Sequence, residues 1–362
     1  MIKKSLLGNL LYSKCQNGFV NDIDLNNRLE ELKNEGIVCP SFTIKNLINV
    51  CGLKTEQSIL DQNLQKTLDK YFNMLISNVN EKNINILASG GNGKIISFKK
   101  EAEKCDDCEN VVFKLIYNKC KDAQKEFIIQ LSLYNSFPKN SLLKIPKPLK
   151  YFSTNLYILN DEYSCSFAME KIQSSKITNQ LQDDECLSLF KEIQIMLTFN
   201  PKFNKILHLK NKDEKCSLNN PPRYITMYIE NNFNINIHNI CYELGIFFGM
   251  ASFHNKISLD DVEVILDKNN NVYVVDFGMC RDVSSLIDNY LNNTNDETLE
   301  ILLDEGIASF TTPFLTKECF PTPKNGEYWI SFVKGLKLSI HEYTKLSEDS
   351  INMFIEKLEE FV

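Results

Sequence analysis

The chain has 362 residues and a net charge of −7, with 43% hydrophobic and 24% charged residues. This composition is ordinary for a globular protein that buries a core, and the length predicts one or two domains. The acidic balance excludes broad, sequence-independent nucleic-acid binding, which needs clustered Lys and Arg to neutralise phosphates. No run of eighteen apolar residues occurs, so no membrane span is predicted.

The first residues resemble a secretory signal only briefly. Lys3 and Lys4 precede Leu6 and Leu7, but Asn9 interrupts the apolar run and no small-residue cleavage site follows. We therefore expect a cytoplasmic protein, with a nuclear location left open.

Twelve cysteines are scattered along the chain. Without a secretory signal, a disulfide framework is not expected. Cys105 and Cys108 form a close pair, but no second pair lies at a zinc-site spacing. A polar loop with free thiols is the favoured interpretation, and a metal site is the alternative.

Residues 1–80 are predicted to form a helical N-terminal extension. Apolar residues recur at three- and four-residue spacing and lie on one helical face: Ile59, Leu60, Leu64, Leu68, Phe72, Leu75 and Ile76. We expect this stripe to pack on a neighbouring element rather than bind a partner.

Residues 81–172 predict a small antiparallel sheet with one helix, Lys121–Ser136. β-branched and aromatic runs mark the strands, which are Ile84–Leu87, Lys94–Phe98, Val111–Tyr117, Leu149–Phe152, Leu156–Leu159 and Cys165–Ile172.

Residues 173–362 are predicted to be mostly helical. The helix candidates are Asp184–Leu197, Ile237–His254, Glu297–Glu305, Tyr328–Tyr343 and Ser350–Phe361. One hairpin interrupts them, with strands at Glu263–Leu266 and Val272–Asp276. A sheet region followed by a helical region predicts the α+β class.

A glycine-rich segment joins two of the strands and reads Ser89-Gly90-Gly91-Asn92-Gly93-Lys94. Glycines at such a turn let backbone N–H groups approach phosphates closely. No helix is predicted after Lys94, so the segment is not a P-loop of the Walker type. A plain hairpin turn is the alternative.

Lys114 lies in the middle of the apolar strand Val111–Leu115. Burying an ammonium group without a partner is costly, so this lysine needs an anion. Glu126 on the following helix or the phosphates of a nucleotide would provide one. The alternative is a surface lysine on an edge strand.

Asp276 ends a strand of β-branched residues and is followed by Phe277 and Gly278. Its carboxylate emerges where the chain must turn, and a hard metal such as Mg²⁺ takes such an oxygen ligand. A strand that ends in an ordinary Asp turn is the alternative.

In this order, the glycine segment, the strand lysine, the helix glutamate and the Asp-Phe-Gly sequence resemble the protein-kinase superfamily from about residue 84 to about residue 340. The resemblance implies a bilobal protein-kinase-like fold, with a sheet-rich N-lobe over 81–172 and a helical C-lobe over 173–362. It also implies ATP and Mg²⁺ as cofactors.

The resemblance implies a role for each matching residue. Gly90, Gly91 and Gly93 would cover the phosphates. Lys114 would hold phosphate oxygens and pair with Glu126, and Asp276 would ligate Mg²⁺. The segment Phe167–Ile172, which contains Glu170, looks like the strand and linker that hold the adenine.

A narrower resemblance, over roughly 110–340, is to a fungal kinase-like family of unknown function that is sometimes labelled a zinc-finger-protein domain. It is carried by Met169–Ile172, Leu259–Leu266, Val275–Phe277 and Pro321–Trp329.

The alignment with kinases places Ser258 at the catalytic Asp position and Glu263 at the position of the usual Asn. A serine cannot accept a proton near neutral pH as a carboxylate does. Asp260 and Asp261 are therefore the candidates for a catalytic base, and the favoured alternative is that both are solvated loop acids or structural contacts to the backbone. Glu263 joins Asp276 as a candidate metal ligand.

The sequence therefore predicts an ATP- and Mg²⁺-dependent phosphotransferase whose acceptor is a protein or a small molecule. The alternative is a pseudokinase that serves as a nucleotide-binding or protein-interaction module. No Ala-Pro-Glu-like anchor follows Arg281, and no His-Gly-Asp sequence occurs, so both acceptor classes stay open.

Overall fold

The computed structural model describes residues 30, 33, 34, 59–76, 84–90, 92–98, 110–117, 119–158, 161–173, 195–203, 208–209, 225–230, 235–292, 306–316 and 318–362. These residues form antiparallel sheet and helices, so the α+β prediction is confirmed. No helix in these ranges is long and apolar enough to cross a membrane.

A five-stranded antiparallel sheet comes first, with the spatial order β1-β2-β3-β8-β5. Its strands are β1 (Ile84–Gly90), β2 (Gly93–Phe98), β3 (Val111–Ile116), β5 (Pro148–Phe152) and β8 (Cys165–Glu170). Helix α1 (Ile59–Ile76) precedes the sheet, and helix α2 (Cys120–Ser136) follows β3.

Helices α1 and α2 pack against different residues of strands β3 and β8. Helix α1 buries Leu68, Phe72 and Leu75 in a cluster with Phe113 and other residues of the sheet. The rings of Phe72 and Phe152 stack with centroids 3.9 Å apart. The expected packing of the apolar stripe is confirmed for Leu68, Phe72 and Leu75, whereas Ile76 is exposed.

A six-stranded mixed sheet has the order β10-β11-β9-β13-β14-β4. Its strands are β4 (Leu143–Lys144), β9 (Ile195–Thr198), β10 (His208–Leu209), β11 (Ile225–Tyr228), β13 (Glu263–Leu266) and β14 (Val272–Val275). Strands β13 and β14 form the predicted hairpin, in which Glu263 lies opposite Val275. Two small antiparallel pairs complete the strands: β6 (Leu156–Ile158) with β7 (Asp161–Tyr163), and β12 (Ile257–Ser258) with β15 (Arg281–Asp282).

Helices dominate the rest of the described chain. They are α3 (Ile237–Gly249), which continues as a π-helical turn over Met250–His254, α4 (Ser284–Asn292), α5 (Ala308–Leu315), α6 (Glu327–Tyr343) and α7 (Glu348–Phe361). Their buried faces and the six-stranded sheet share one large apolar core.

The helix predicted over Asp184–Leu197 is wrong at its C-terminal end, because Ile195–Thr198 is strand β9. All four of its residues are buried, between β11 and β13. A short apolar run of this kind fits a buried strand as well as a helix, and here the neighbouring strands decide. The rest of that prediction and the helix predicted over Glu297–Glu305 lie outside the described residues.

Cys120 and Cys165 form a disulfide, which the sequence did not predict. The fold brings them together although they are 45 residues apart, because α2 begins beside the start of β8. Cys105 and Cys108 lie outside the described residues.

Candidate functional site

A cleft lies between the two sheets, and most of its lining is apolar. It is lined by Leu87, Ala88, Ile95, Val112, Lys114, Glu126, Gln130, Pro146, Met169, Glu170, Lys171, Ile172, Glu263, Ile265, Val275 and Asp276. The last four of these residues come from the β13–β14 hairpin and the residue after it. Pro146, Lys171 and Ile172 lie in connecting segments, and the others come from the five-stranded sheet and α2. An apolar slot with a few converging polar groups is the usual form of a small-molecule site.

Strand alternation places Lys114 in this cleft. Neighbouring residues of a strand point to opposite faces, so Phe113 and Leu115 enter the core beneath α1 while Val112 and Lys114 face the cleft. The Lys114 Nζ atom donates to Glu126 Oε1 at 2.5 Å and to Asp276 Oδ1 at 3.2 Å. The lysine is therefore held by two carboxylates from two different parts of the fold.

Glu126 lies on the buried face of α2 and is only 5% exposed. Gln130 follows one helical turn later on the same face, which the four-residue spacing from Glu126 could have indicated. Its Nε2 atom donates to Pro146 O at 2.8 Å, and its side chain also lines the cleft. Sequence reasoning missed Gln130.

Asp276 follows β14 and has left-handed backbone angles, with φ at 65°. An aspartate in this region is uncommon, and strained backbone of this kind tends to occur at functional sites. The chain then turns through a short 3₁₀ helix, Phe277–Met279, with Phe277 fully buried. This turn carries the Asp276 carboxylate into the cleft beside Lys114.

Position 93 needs a glycine because the backbones of two neighbouring strands approach each other closely there. A Cβ atom at this position would lie only 1.8 Å from Leu115 O in the next strand. Gly90 and Gly93 face each other at the end of the β1–β2 hairpin, and Gly91 between them lies outside the described residues. The glycine segment is thus a tight hairpin, and β1 and β2 contribute Ala88 and Ile95 to the cleft.

Lys94 belongs to a different cluster from Lys114. Its Nζ atom donates to Asp161 Oδ2 at 2.8 Å, and Tyr117 and Tyr163 donate to the same oxygen. The hydrogen bond from Lys94 is the main reason that the pKa of Asp161 lies below its usual value. Lys94 is therefore a partly buried, ion-paired lysine like Lys114, but it does not line the cleft.

Glu263 is the second carboxylate from the β13–β14 hairpin and is almost fully buried. It lines the cleft together with Asp276. Glu263 pairs with Val275 across the hairpin, and Asp276 is the residue after Val275. Two carboxylates suit Mg²⁺, which usually takes one or two protein carboxylates and completes its shell with water and substrate phosphates. No group of three or more His, Cys, Asp or Glu side chains suited to a metal occurs among the described residues.

Glu170 ends β8 at the rim of the cleft and is exposed. Its Oε2 atom accepts from Lys147 N at 3.1 Å, and its own backbone N donates to Lys147 O at 2.9 Å. Its side chain therefore braces the segment that connects the two sheets. Beside it, Ile172 lies in the apolar lining together with Val112 and Ile265.

The structure does not bring Asp260 and Asp261 into the lining of the cleft. Asp260 is buried, and its Oδ2 atom accepts from Arg281 Nε at 2.5 Å. Asp261 is half-buried and has a positive φ of 56°. Ser258, at the predicted position of the catalytic acid, is fully buried in strand β12.

Cys280 lies behind these acids. Burial raises the pKa of its thiol well above the usual value, and the nearby carboxylates of Asp260, Glu126 and Asp276 raise it further. A thiol with a raised pKa is a poor nucleophile, so Cys280 is a packing residue.

No protein-family model and no curated protein matches the sequence. The functional conclusion therefore depends on the geometry of the cleft.

Proposed function

We propose that this chain has a bilobal, protein-kinase-like fold whose cleft binds ATP with Mg²⁺, and that it transfers the terminal phosphate to a protein or a small molecule. The observation that carries the proposal is the position of Lys114. Its ammonium lies between a helix carboxylate, Glu126, and a carboxylate placed by a strained turn, Asp276. The resemblance to kinases in the order of these parts supports the same function.

Four charged residues of the cleft have roles in this proposal. Glu126 orients Lys114, whose ammonium holds phosphate oxygens. Asp276 and Glu263 are the Mg²⁺ ligands, and the metal would neutralise charge on the phosphates. The adenine would lie in the apolar part of the cleft, near Val112 and Ile265.

The charge of the cleft makes metal essential to this function. The cleft is lined by the ammonium groups of Lys114 and Lys171 and by four carboxylates, so its formal charge is net negative. The carboxylates are those of Glu126, Glu170, Glu263 and Asp276. A nucleotide without metal would bring further negative charge into a partly buried site, where repulsion is strong. Binding of ATP should therefore depend on a divalent cation.

A second candidate function is a pseudokinase that binds nucleotide or a partner protein without transferring phosphate. The pairing of Asp260 with Arg281 favours it, because the carboxylate is buried and already engaged. Ser258 lacks a carboxylate and is enclosed in β12. Phosphoryl transfer depends mostly on positioning and charge stabilisation, and a general base contributes only about 10²–10⁴-fold, so loss of the base slows transfer without abolishing it.

The first experiment is calorimetric titration of ATP into the full chain with and without Mg²⁺. It compares the wild type with Lys114→Ala, Asp276→Ala and the matched control Lys94→Ala, which removes a paired lysine outside the cleft. Binding should require Mg²⁺, should be lost in both cleft variants and should persist in the control. Thermal unfolding of each variant checks that the chain is folded. Absence of binding by the folded wild type would overturn the proposal.

Phosphate release and transfer then separate the two candidate functions. Activity that persists in Lys94→Ala and vanishes in Asp276→Ala would establish a phosphotransferase. Mg²⁺-dependent binding without any phosphate release would instead favour the pseudokinase.

A further inference from the structure

The disulfide joins the first residue of α2 to the first residue of β8. The Cα atoms of Cys120 and Cys165 are 5.6 Å apart, within the usual range for such bonds. Cys165 is fully buried beside Ile116 and Ala123, whereas Cys120 is half-buried. Cys120 is therefore the more accessible residue of the pair.

Helix α2 is attached to the rest of the fold along its whole length. Cys120 fixes its first turn, Glu126 binds Lys114 in the middle, and Ser132 and Ser136 accept hydrogen bonds from Asn255 Nδ2 at 2.9 and 3.1 Å. Asn255 follows the π-helical turn after α3 and is fully buried. The C-terminal half of α2 is thus anchored to the helical part of the chain.

The first turn of α2 depends more heavily on the disulfide. The residue that precedes the helix, Lys119, makes no side-chain capping bond. Tyr151 donates its hydroxyl to Cys120 O at 3.1 Å, which supports the same turn. Glu126 is six residues after Cys120, about 9 Å along the helix axis. Release of this end would therefore loosen the part of α2 that presents Glu126 to Lys114.

We propose that Cys120 and Cys165 form a reversible redox site that controls nucleotide binding through α2, with the oxidised form as the binding form. This inference rests on the function proposed above. A dithiol reductant breaks the sulfur–sulfur bond by attack of its thiolate on Cys120, and its second thiol completes the exchange. The reductant becomes a disulfide, and the protein gains two electrons and two protons as two thiols.

Other described cysteines are poor candidates for this role. Cys241, Cys280 and Cys319 are buried and are not part of a disulfide. Burial raises the pKa of Cys241 and of Cys280, which makes both inert toward exchange.

The test measures Mg²⁺-ATP affinity of the full chain in its oxidised form and after reduction with dithiothreitol. Peptide mapping by mass spectrometry verifies the Cys120–Cys165 bond. Coupling between two sites typically changes affinity by about 5- to 150-fold, and reduction should weaken binding within this range. The variant Cys120→Ser/Cys165→Ser should bind weakly with or without reductant. The control Cys319→Ala should keep the redox response.

Two further measurements make the proposal falsifiable independently of affinity. Reduction should speed amide hydrogen exchange in residues 120–126 and leave residues 132–136 unchanged, because Asn255 still anchors them. Linkage is reciprocal, so Mg²⁺-ATP should make the disulfide harder to reduce. If the oxidised form binds tenfold more tightly than the reduced form, the midpoint reduction potential of the disulfide should fall by about 30 mV on binding.

The outcomes separate this inference from the proposed function. Equal affinity and equal exchange in the two redox states would show a structural bond only and overturn the redox control. Redox-dependent exchange in α2 without nucleotide binding in either state would overturn the proposed nucleotide function, while control of α2 by the disulfide would stand.

Discussion

A methyl group placed on Gly278 would lie 3.3 Å from Glu126 Oε2, closer than ordinary van der Waals contact. The turn after Asp276 therefore fits directly against the carboxylate that orients Lys114. Only a residue without a side chain leaves Glu126 undisturbed at this position.

We therefore expect Gly278→Ala to weaken Mg²⁺-ATP binding by displacing Glu126 from Lys114 by a few tenths of an ångström. The expected loss is about 5- to 20-fold, since it perturbs a charge-assisted hydrogen bond without removing it. Calorimetry measures the affinity. The same substitution in a Glu126→Ala background should have little further effect, because the contact no longer exists. Equal losses in the two backgrounds would contradict this explanation.

Glu263→Gln should reduce the dependence of ATP binding on metal. The substitution keeps the shape of a buried side chain and removes one negative charge from the cleft. Affinity for Mg²⁺-ATP should fall about tenfold or more through loss of a ligand, while affinity for metal-free ATP should rise as repulsion decreases. Titrations with and without Mg²⁺ test both directions. The exposed Glu162→Gln is the charge-matched control. An unchanged ratio of the two affinities would remove Glu263 from the metal site.

Much of the cleft follows from local features of the sequence. Lys114 in an apolar strand demands an anion, and the structure supplies Glu126, as predicted, together with Asp276. Strand alternation and the sharp Asp-Phe-Gly turn also follow from local rules, so β3, β14 and the turn at Asp276 were predictable. In each case the residues of one short segment are enough to predict its local structure.

Features that depend on distant pairing were not predictable in this way. The run Ile195–Thr198 is apolar throughout, and only its neighbours β11 and β13 make it a strand. The disulfide joins positions far apart in sequence, and spacing alone does not give cysteine connectivity. The partner of Asp260 is likewise set by the β12–β15 pairing, in which Ser258 lies opposite Arg281.

The contact between Asp260 and Arg281 should contribute to stability more than to nucleotide binding. Arg281→Met leaves a buried carboxylate without its cation and should lower the free energy of unfolding by about 1–3 kcal/mol. Chemical denaturation measures this change, and Mg²⁺-ATP affinity should be unchanged. The double variant Asp260→Asn/Arg281→Met should be less destabilised than the sum of the single variants. If Asp260→Asn abolished phosphate transfer and left stability intact, Asp260 would be a catalytic base instead.

Stability should also fall on mild acidification because of His254. This histidine ends the π-helical turn after α3 and stacks on Tyr343 with ring centroids 4.5 Å apart. Burial lowers its pKa below the usual 6.5, and the nearby charge of Glu342 opposes this effect only partly. Between the lowered pKa and 6.5 the unfolded chain binds more protons than the folded one, so the free energy of unfolding falls as pH drops through this window.

His254→Phe keeps the stacking on Tyr343 and removes the titrating group. Its free energy of unfolding should therefore fall less steeply than that of the wild type as pH decreases below 6.5, the usual pKa of histidine. Denaturation with urea at a series of pH values gives both slopes. The control is His238→Gln, which replaces an exposed histidine and leaves the contact between His254 and Tyr343 intact. Parallel curves for wild type and His254→Phe would mean that His254 is protonated equally in the folded and unfolded chains, and that its burial beside Tyr343 has no electrostatic consequence.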